Sequence, residues 1–573
     1  MQAVMTFAEL TSYFEKLEST SSRLVLIDIL CDLFKEVKAG EIAQVCYLLQ
    51  GRVAPFWQPI EMGMSEKLVA AALAKAYSVE REEVLKLYGK LGDMGLAAQS
   101  LSSKFKVKSA KLKVTEIFNT LVQIAKTQGE GTVEKKVSAL AGLLQKIDSI
   151  SAKHLVRVPL GVSRLGIGEP TILDSFAKLK LGDRAKRPLL EGAYNKVSDL
   201  GLIGETLWKG GLREVNRLQV TVGRPIRSQL AERLPTPEKV IEKMSQVNAQ
   251  RKLDGFRVQI HKDGENIRLF SRNLEETTPM FPEIAKAARK QIKAKTAILD
   301  CEAIGFNPIS GEFLPFQETT QRRRKYGIAE LAKKIPLKAF CFDILYKDEK
   351  SLIDLEQTER LEILEKTISD GETLFIEKGE TVDNSKKLQI MLDEAISLGL
   401  EGLVVKRPDS KYEAGARNFN WVKLKRHSSG ELQDTIDCVI LGYIFGKGKR
   451  VSFGAGALLV GVYDGQKDEF VTVSKIGTGL TDEEWRSIKV KSKKLEVKNK
   501  PVRVNSKIVP SVWVEPKIVI EVLADEITKS PLHTAGLALR FPRLVTFREA
   551  DKRAEDSTTL KELREMYNQQ SKR

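Results

Sequence analysis

The tetrad Lys252-Leu253-Asp254-Gly255 combines residue types that a covalent reaction at phosphorus requires. It begins a predicted strand, where alternation puts Lys252 and Asp254 on one face and Gly255 allows a ligand to approach closely. Because an amine attacks only when it is neutral, and a free lysine titrates near about 10.4, a nucleophilic Lys252 needs a depressed pKa. Taken alone, the tetrad is too common to predict more than a solvated strand end.

Five more segments follow the tetrad in the order SRNLE (271–275), ILDCEAIGF (298–306), KAFCFDILYKD (338–348), EGLVVKRPD (401–409) and WVKLKR (421–426). By itself the last segment is an amphipathic strand with its basic residues in water. Its Lys423 and Lys425 are two residues apart, however, so a strand points both the same way. Two such cations would depress the Lys252 pKa and stabilise a phosphoryl transfer.

Glu401 and Lys406 lie on one predicted strand at an odd spacing. Alternation alone would send their side chains to opposite faces of the sheet. If both serve one site, Glu401 must lie at the entrance of the strand or beside a bulge.

The ordered set resembles the motifs of the covalent nucleotidyltransferases, the superfamily of DNA ligases, RNA ligases and mRNA-capping guanylyltransferases. The resemblance implies a lysyl-AMP intermediate on Lys252 and an adenine stacked on Phe342, although a core position is the commoner fate of a phenylalanine. It also implies Mg²⁺ or Mn²⁺ held by Glu302 and Glu401, because hard cations prefer oxygen ligands. The other nucleotide contacts that it implies come from Gln250, Arg257, Arg272, Glu302, Arg417, Lys423 and Lys425.

Gln250 departs from the family pattern, in which a glutamate two residues before the nucleophile binds the adenine amino group. A glutamine oxygen can still accept a hydrogen bond from that group, so adenine recognition is retained. ATP is therefore the predicted donor, and the neutral amide leaves ADP or another nucleotide as alternatives.

Both ends of the chain resemble ATP-dependent DNA ligases of the archaeal type. Segment 521–552 resembles their C-terminal motif, which implies that Arg540 and Arg543, together with Lys406, contact the triphosphate. The end of this segment, READK (548–552), has an interposed Ala550. The front, FAELTSYFEKLESTSSRLVLIDILCDLF, resembles their helical DNA-binding domain, which capping enzymes lack. Five scattered cysteines cannot supply the four-cysteine zinc element of NAD-dependent ligases.

Composition agrees with a nucleic-acid partner. The 573 residues carry 93 Lys and Arg against 76 Asp and Glu, a net charge of +17 that favours attraction to a polyanion. No apolar run of about 18 residues and no signal peptide occur, so we expect no membrane association and an intracellular, cytoplasmic protein. The resemblance implies nicked double-stranded DNA as the partner, and we expect a monomer. The resemblance also allows a sliding clamp as partner, for which 99–105 is a weak candidate contact.

A chain of this length should fold as about three domains. Apolar residues at helical spacing predict an all-α domain over 1–225. Short strands joined by turns predict an α+β domain over 226–428. Further strands, beginning with DTIDCVILGYIFGKGKR (434–450), predict a C-terminal β-barrel domain with a helical tail over 429–573. The resemblance implies that these are a DNA-binding domain, a nucleotidyltransferase (adenylation) domain and an OB-fold domain.

Two other functions remain open at this point. An RNA ligase would use the same covalent chemistry on a different polymer. A non-catalytic basic DNA-binding protein with a degenerate nucleotide pocket is the second alternative, and the departures at Gln250 and READK favour it. The first would seal nicked RNA, and the second would form no covalent nucleotide adduct.

Overall fold

The computed structural model describes residues 4–105, 111–307, 313–314, 316–324, 326–369, 371–398, 400–425, 435–445, 455–477, 480, 482–548 and 552–571. The chain divides into two compact units. One comprises residues 1–81 with 98–426, and the other residues 82–97 with 427–573. Each unit has its own apolar core.

The chain is helical up to residue 216, as the apolar periodicity predicts. Phe7, Leu10 and Leu17 are buried on one face of the first helix, and a capping box between Thr6 and Glu9 fixes its start. The helices are α1 (Phe7–Glu18), α2 (Arg23–Glu36), α3 (Ile42–Leu49), α4 (Glu66–Tyr77), α5 (Arg81–Leu91), α6 (Met94–Ser102), α7 (Val114–Lys126), α8 (Thr132–Leu144), α9 (Ser149–Leu155), α10 (Glu169–Leu181), α11 (Arg187–Val197) and α12 (Leu200–Asn216).

Residues 230–425 form two sheets with helices packed against them. The strands are β1 (Leu230–Arg233), β2 (Val247–Lys252), β3 (Phe256–Asp263), β4 (Asn266–Ser271), β5 (Thr296–Gly305), β6 (Leu337–Lys347), β7 (Lys350–Ser351), β8 (Leu374–Ile376), β9 (Glu380–Val382), β10 (Gly402–Lys406) and β11 (Arg417–Lys425). The helices are α13 (Pro237–Met244), α14 (Pro282–Gln291), α15 (Phe316–Thr319), α16 (Ile328–Lys334), α17 (Gln357–Thr367) and α18 (Ser385–Ser397).

The first sheet has the order β1-β11-β10-β2-β9, and the second has the order β4-β3-β5-β6-β7 with β8 beside β6. Helices α13 and α18 cover one face of the first sheet, where Val240 and Leu388 pack against Leu403 and Val405. The opposite face of that sheet turns toward Phe342 of the second sheet, so the two sheets enclose a cleft.

Strand β10 is central in the first sheet, because it pairs antiparallel with both β2 and β11. Residues directly opposite one another point to the same face, so the register defines three rows of side chains that face the cleft. Neighbouring rows are about 7 Å apart, twice the rise per strand residue. The rows are Lys252, Gly402 and Lys425; Gln250, Val404 and Lys423; and Asn248, Lys406 and Trp421.

The second unit contains a curled antiparallel sheet and a C-terminal helix, as predicted. Its strands are β12 (Ile436–Ile444), β13 (Ala457–Asp464), β14 (Glu469–Ile476), β15 (Glu496–Val497), β16 (Val504–Asn505), β17 (Val512–Val514), β18 (Val519–Leu523), β19 (Glu526–Lys529), β20 (Leu537–Arg540) and β21 (Arg543–Phe547). Its main helices are α19 (Asp482–Lys493) and α20 (Leu560–Ser571). The predicted strand at 434–450 is described only in part.

Strand β12 pairs with β13 on one side, and with β17 and β18 on the other. The sheet therefore curls into a partial barrel around a core that includes Ile440, Val460 and Ile520, and Leu563 of α20 packs into the same core. Across the described part of the chain, no helix is both long enough and apolar enough to span a membrane.

Candidate active site

The prediction that the tetrad begins a strand is wrong, because Lys252 ends strand β2 and the next strand begins only at Phe256. Lys252 lies beside Glu401, the residue just before β10. The Glu401 N–H donates to the Lys252 carbonyl at 3.2 Å, and Lys252 Nζ lies 2.8 Å from Glu401 Oε2. Lys425 pairs with the same carboxylate oxygen. Burial opposes the charge of Glu401, yet its contacts with Asp254, Lys252 and Lys425 lower its pKa to about 2. Glu401 thus lies at the strand entrance, as predicted, and joins the two lysines.

Two glycines allow the backbones around Lys252 to approach closely. A Cβ atom at Gly255 would clash with the Ala303 carbonyl oxygen, and one at Gly402 would clash with the Leu424 carbonyl oxygen. Gly402 also has a φ of +135°, a conformation that side-chain-bearing residues rarely adopt. Close packing of β10 against β11 therefore depends on glycine at this position.

Gln250 occupies the second row and is buried. Its Nε2 donates to the Glu377 carbonyl at 2.7 Å and to the Phe342 carbonyl at 3.4 Å. Because the amide nitrogen is engaged by protein carbonyls, Oε1 is the atom left to accept a hydrogen bond from a ligand. The Glu377 carboxylate also holds Arg251, whose Nε and Nη2 lie 3.0 and 2.6 Å from Oε2.

Basic residues of β11 face the cleft at alternate positions. The pKa of Lys423 is lowered by burial, and then by the nearby charges of Arg417, Lys425 and Lys252. Arg417 is exposed at the start of the strand, and it is close enough for its charge to act on Lys423. The structure therefore brings these three predicted residues together along one strand, where their positive field suits a triphosphate.

Lys406 lies in the third row, about 13 Å along β10 from Gly402. Its side chain is only 1% exposed, and its Nζ donates to the Phe342 carbonyl at 3.1 Å. The ammonium lies 4.5 Å from the centre of the Phe342 ring and 4.1 Å from that of Trp421. Lys406 thus shares the face of Lys252 but lies two rows away, and its predicted contact with phosphate stays a prediction.

Phe342 and Trp421 form an edge-to-face pair, with ring centres 6.0 Å apart and planes at 79°. Phe342 is only partly buried, whereas its neighbour Phe340 belongs to the core. The Arg257 guanidinium carbon lies 5.4 Å from the centre of each ring of the pair. Phe342 thus has the partial exposure that stacking on a flat ligand requires.

Arg257 is held by a buried network. Its Nε and Nη2 donate to the Asp300 carboxylate at 3.0 and 2.6 Å, and its Nη1 donates to the Gln229 carbonyl at 2.7 Å. The Tyr412 hydroxyl donates to the same carboxylate at 2.8 Å. Burial opposes the positive charge of Arg257, but the attraction of Asp300 outweighs it and raises the Arg257 pKa. The guanidinium is therefore fixed in one orientation.

Glu302 lies opposite Arg257 on strand β5. Burial raises the pKa of Glu302 to about 7, although Lys252 and Arg257 act in the opposite direction. No residue in the described part of the chain donates a hydrogen bond to its carboxylate. Burial makes the negative charge of this carboxylate unfavourable, and a bound cation would compensate that charge. The side chain therefore suits a hard divalent metal ion. With Glu401, it gives the two oxygen-donor side chains predicted for Mg²⁺ or Mn²⁺.

Arg272 follows strand β4 and is exposed. It borders a narrow crevice, without room for a water molecule, together with Arg257 and Ser271, and Pro225 and Ile226 form part of the same lining. The two predicted arginines are therefore near one another in the adenylation part of the chain.

Arg540 and Arg543 belong to the second unit. Arg540 Nη1 lies 3.4 Å from Glu526 Oε2, and Arg543 Nη2 lies 2.8 Å from Asp525 Oδ1. Their predicted contact with the triphosphate stays a prediction. Residues 549–551 of the READK segment lie outside the described residues.

Sequence reasoning did not assign roles to Asp300, Tyr412 or Glu377. Asp300 carries a signal, because it lies in the ILDCEAIGF segment two residues before Glu302, on the same face of the strand. Tyr412 and Glu377 reach the site from loops, and no periodic pattern marks them.

A separate acidic cluster lies between helices α1 and α9, where Glu15, Glu18 and His154 approach one another. Its carboxylates are already engaged by cations: Lys153 Nζ lies 2.6 Å from Glu15, and Arg157 lies 2.8 Å from Glu18. The cluster is therefore an ion-pair network that joins two helices.

Family models match three parts of the chain. Residues 6–177 match "DNA ligase N terminus", residues 228–425 match "ATP dependent DNA ligase domain", and residues 452–552 match "ATP dependent DNA ligase C terminal region". A solved structure named Pmar-Lig_Pre has a TM-score of 0.52 at 18% identity, covering 94% of this chain and 99% of that chain. This likeness shows the fold.

Similar sequences extend over nearly the whole chain. A "Probable DNA ligase" of Dictyoglomus turgidum is 47% identical, covering 99% of this chain and 98% of the relative. "DNA ligase 2" of Thermofilum pendens is 39% identical with the same coverage. The "DNA ligase" of Sulfolobus acidocaldarius is 38% identical and covers 99% of both chains. The last two relatives agree with the predicted archaeal type, and we conclude that the chain belongs to the family of ATP-dependent DNA ligases.

Proposed function

We propose that the protein seals nicks with a 5′-phosphate and a 3′-hydroxyl in duplex DNA, with ATP as donor and Lys252 as nucleophile. Lys252 Nζ attacks the α-phosphorus of ATP and releases pyrophosphate. The 5′-phosphate of the nick then takes AMP from Lys252. Finally, the 3′-hydroxyl attacks the DNA adenylate, forms the phosphodiester and releases AMP.

The contact of Lys252 Nζ with Glu401 Oε2 at 2.8 Å carries this proposal. It orients the amine at the end of β2, in the row that also contains Lys425. Lys423 and Lys425 would stabilise the charge on the transferring phosphoryl group. Mg²⁺ or Mn²⁺, held by Glu302 and Glu401, would neutralise phosphate charge when bound.

The nucleobase would lie at the other end of the cleft. Phe342 would stack on adenine, and Gln250 Oε1 would accept a hydrogen bond from its amino group. Arg257 and Arg272 would contact the ribose or the phosphates, as would Arg417 from β11. The donor proposed here is ATP, and ADP is the alternative to compare with it.

The test is incubation with α-labelled ATP and Mg²⁺, followed by denaturing electrophoresis. We expect label on the wild type and none above background on Lys252→Ala, because the amine of Lys252 is the one proposed to form the phosphoramidate. Lys262→Ala is the control, since Lys262 is a buried lysine of the same domain whose Nζ donates to the carbonyls of Arg289 in helix α14 and of Ile292 just after it. Label that persists on Lys252→Ala would assign the nucleophile to another residue. Labelled ADP tests the alternative donor.

The polymer is tested separately with nicked DNA and with nicked RNA on a complementary splint. We expect sealing of the DNA, which agrees with the family and with the net charge of +17. Sealing of RNA alone would favour the RNA ligase alternative. A wild-type protein without label would favour the non-catalytic alternative.

The proposed function extends to the organisation of the chain. We assign the DNA-binding, adenylation and OB-fold parts to residues 1–225, 226–428 and 429–573, in a monomer that acts on DNA in the cytoplasm. A sliding clamp is the protein partner that this function allows. Segment 99–105 supports such a contact only weakly, because the Phe105 ring already stacks on Tyr77 with ring centres 5.4 Å apart.

A further inference from the structure

Lys406 is a buried cation that the proposed chemistry does not use. Within the described residues, no carboxylate lies within ion-pair distance of its ammonium. The two acidic groups whose charges act on Lys406 are Asp343 and Asp300, and both already have partners, since Arg360 binds Asp343 and Arg257 binds Asp300. A lysine buried without an ion pair is costly, so its retention here requires other favourable contacts.

Those contacts come from an aromatic pair and one carbonyl. The Nζ lies over the rings of Phe342 and Trp421 at 4.5 and 4.1 Å, distances at which a desolvated cation is attracted to a ring face. It also donates to the Phe342 carbonyl at 3.1 Å. The same carbonyl accepts from Gln250 Nε2 at 3.4 Å. Lys406 therefore touches both the ring and the carbonyl that define the nucleobase end of the cleft.

We propose that Lys406 is a positioning residue for nucleotide binding: it fixes the Phe342 and Trp421 rings, and with them the surface on which the nucleobase stacks. It takes no part in the transfer at phosphorus, because Lys252 lies two rows away in the sheet. This inference rests on the proposed function, since it presumes that a nucleotide occupies the cleft. It predicts that loss of the Lys406 ammonium weakens nucleotide binding but leaves the rate constant of AMP transfer nearly unchanged.

The first test separates these two effects in the lysyl-AMP reaction. Lys406→Met keeps the length of the side chain and removes its charge and donors. We expect the KM for ATP to rise about tenfold, in the range that desolvated cation–π contacts supply. The single-turnover rate constant at saturating ATP should change less than about threefold, on the uniform-binding criterion. A lower rate constant with unchanged KM would overturn the proposal and favour the phosphate contact.

Lys262→Met is the matched control. Lys262 is also buried, and its Nζ donates to the carbonyls of Arg289 and Ile292, away from the cleft. We expect its KM for ATP to equal that of the wild type, even if both variants lose some thermal stability. An equal rise of KM in both variants would show a general structural effect and overturn the proposal.

A double-mutant cycle tests whether Lys406 acts through the ring. Phe342→Leu removes the aromatic face but keeps an apolar side chain. If Lys406 positions that ring, Lys406→Met should raise the KM much less in the Phe342→Leu background than in the wild type. Independent, fully multiplicative effects on KM would contradict action through Phe342.

The pH dependence of KM gives a readout that a merely structural role would not change. Burial lowers the pKa of Lys406 to about 7; Asp343 and Asp300 oppose this shift, and Arg360 and Arg257 add to it. The side chain is therefore charged below pH 7 and loses its charge as the pH rises. We expect the KM for ATP to rise from pH 6 to pH 8 more steeply in the wild type than in Lys406→Arg, whose guanidinium stays charged. Parallel profiles would contradict a role for the charge.

Nicked DNA that already carries the 5′-adenylate shows whether Lys406→Met is folded. Sealing of this substrate needs no ATP, but its AMP group would occupy the same nucleobase end of the cleft. We therefore expect weaker binding of the adenylated DNA, with a sealing rate constant at saturating substrate within about threefold of the wild type. A lower rate constant at saturating adenylated DNA would overturn the proposal, because the defect would then extend beyond nucleotide binding. A wild type that never forms lysyl-AMP would instead refute the proposed function.

Discussion

Gln250 is a glutamine where the family pattern has a glutamate, and hydrogen bonds fix the orientation of its side chain. Two backbone carbonyls, those of Glu377 and Phe342, accept from its amide nitrogen. A glutamate at this position would have no hydrogen to donate to them, and its charge would face two carbonyl dipoles. The amide therefore suits its surroundings and presents its oxygen as an acceptor. An acceptor at this point favours a nucleobase with an amino group over one with a carbonyl group.

We therefore expect Gln250→Ala to reduce discrimination between ATP and ITP, whose nucleobase has a carbonyl in place of the amino group. The ratio of the two kcat/KM values for lysyl-AMP formation should fall by about tenfold or more, since an unpaired polar group costs about 1–3 kcal/mol. The control is Gln291→Ala. Gln291 is also a buried glutamine that donates to two backbone carbonyls, those of Ser369 and Leu374, but it lies on helix α14. An unchanged ratio in Gln250→Ala would assign nucleobase selection to other residues.

At the scale of single elements, strand β10 organises the site because it pairs with the strands of both Lys252 and Lys425. Gly402 begins this strand with a φ of +135°, and a Cβ there would clash with the Leu424 carbonyl oxygen. The obstacle is backbone, so it cannot rotate away as a flexible side chain would. Glycine at 402 therefore allows β10 and β11 to approach and brings Glu401 between the two lysines.

We expect Gly402→Ala to lower the free energy of unfolding by about 2 kcal/mol or more, through backbone strain and the clash. Lysyl-AMP formation should fall more than about tenfold at a temperature where the variant is still folded, because small displacements of reacting groups are costly. Calorimetry and single-turnover labelling measure the two effects. Gly142→Ala is the control: it lies in helix α8 with open space around the new Cβ, so it should stabilise by about 0.5–1 kcal/mol. A Gly402→Ala protein with wild-type stability and labelling would refute this account.

Alternation along single strands predicted part of this site, and the family resemblance supplied the roles of most of its residues. Alternation placed Lys423 and Lys425 on one face, and it required Glu401 to lie at the strand entrance or beside a bulge; the structure has it at the entrance. It could not place Lys406, because alternation gives the face of a residue but not its distance from a partner on another strand. Tyr412 and Glu377 were not predicted for a related reason: their contacts cross between loops and strands far apart in sequence, and only the folded chain determines such neighbours.

In the larger unit, Ile226 and Arg227 follow the helical part of the chain. They form hydrogen bonds with the helical part and with the adenylation part. On the helical side, the Arg227 N–H donates to the Asn195 carbonyl at 2.8 Å, and its guanidinium lies 2.5 Å from both Glu169 and the Tyr194 hydroxyl. On the adenylation side, Ile226 exchanges two hydrogen bonds with the Gln259 side chain. The helical and adenylation parts are thus joined by an ordered connection. Arg227 is its main ionic contact.

We expect Arg227→Met to uncouple DNA engagement from nucleotide chemistry. The partly buried Glu169 carboxylate would lose its partner, so the helical part should unfold at a lower temperature, with a loss of about 3 kcal/mol. Lysyl-AMP formation, which needs only the adenylation cleft and ATP, should stay within about threefold of the wild type, whereas sealing of nicked DNA at subsaturating substrate should fall about tenfold.

Arg217→Met is the control, because the Arg217–Glu214 pair on the surface is exposed and worth less than about 1 kcal/mol. If Arg227→Met unfolds earlier but seals at the wild-type rate, the connection stabilises the fold without guiding the DNA. If lysyl-AMP formation and sealing fall equally, the connection supports the nucleotide site itself. The proposal that the helical part engages DNA while the adenylation part alone forms lysyl-AMP would then be wrong.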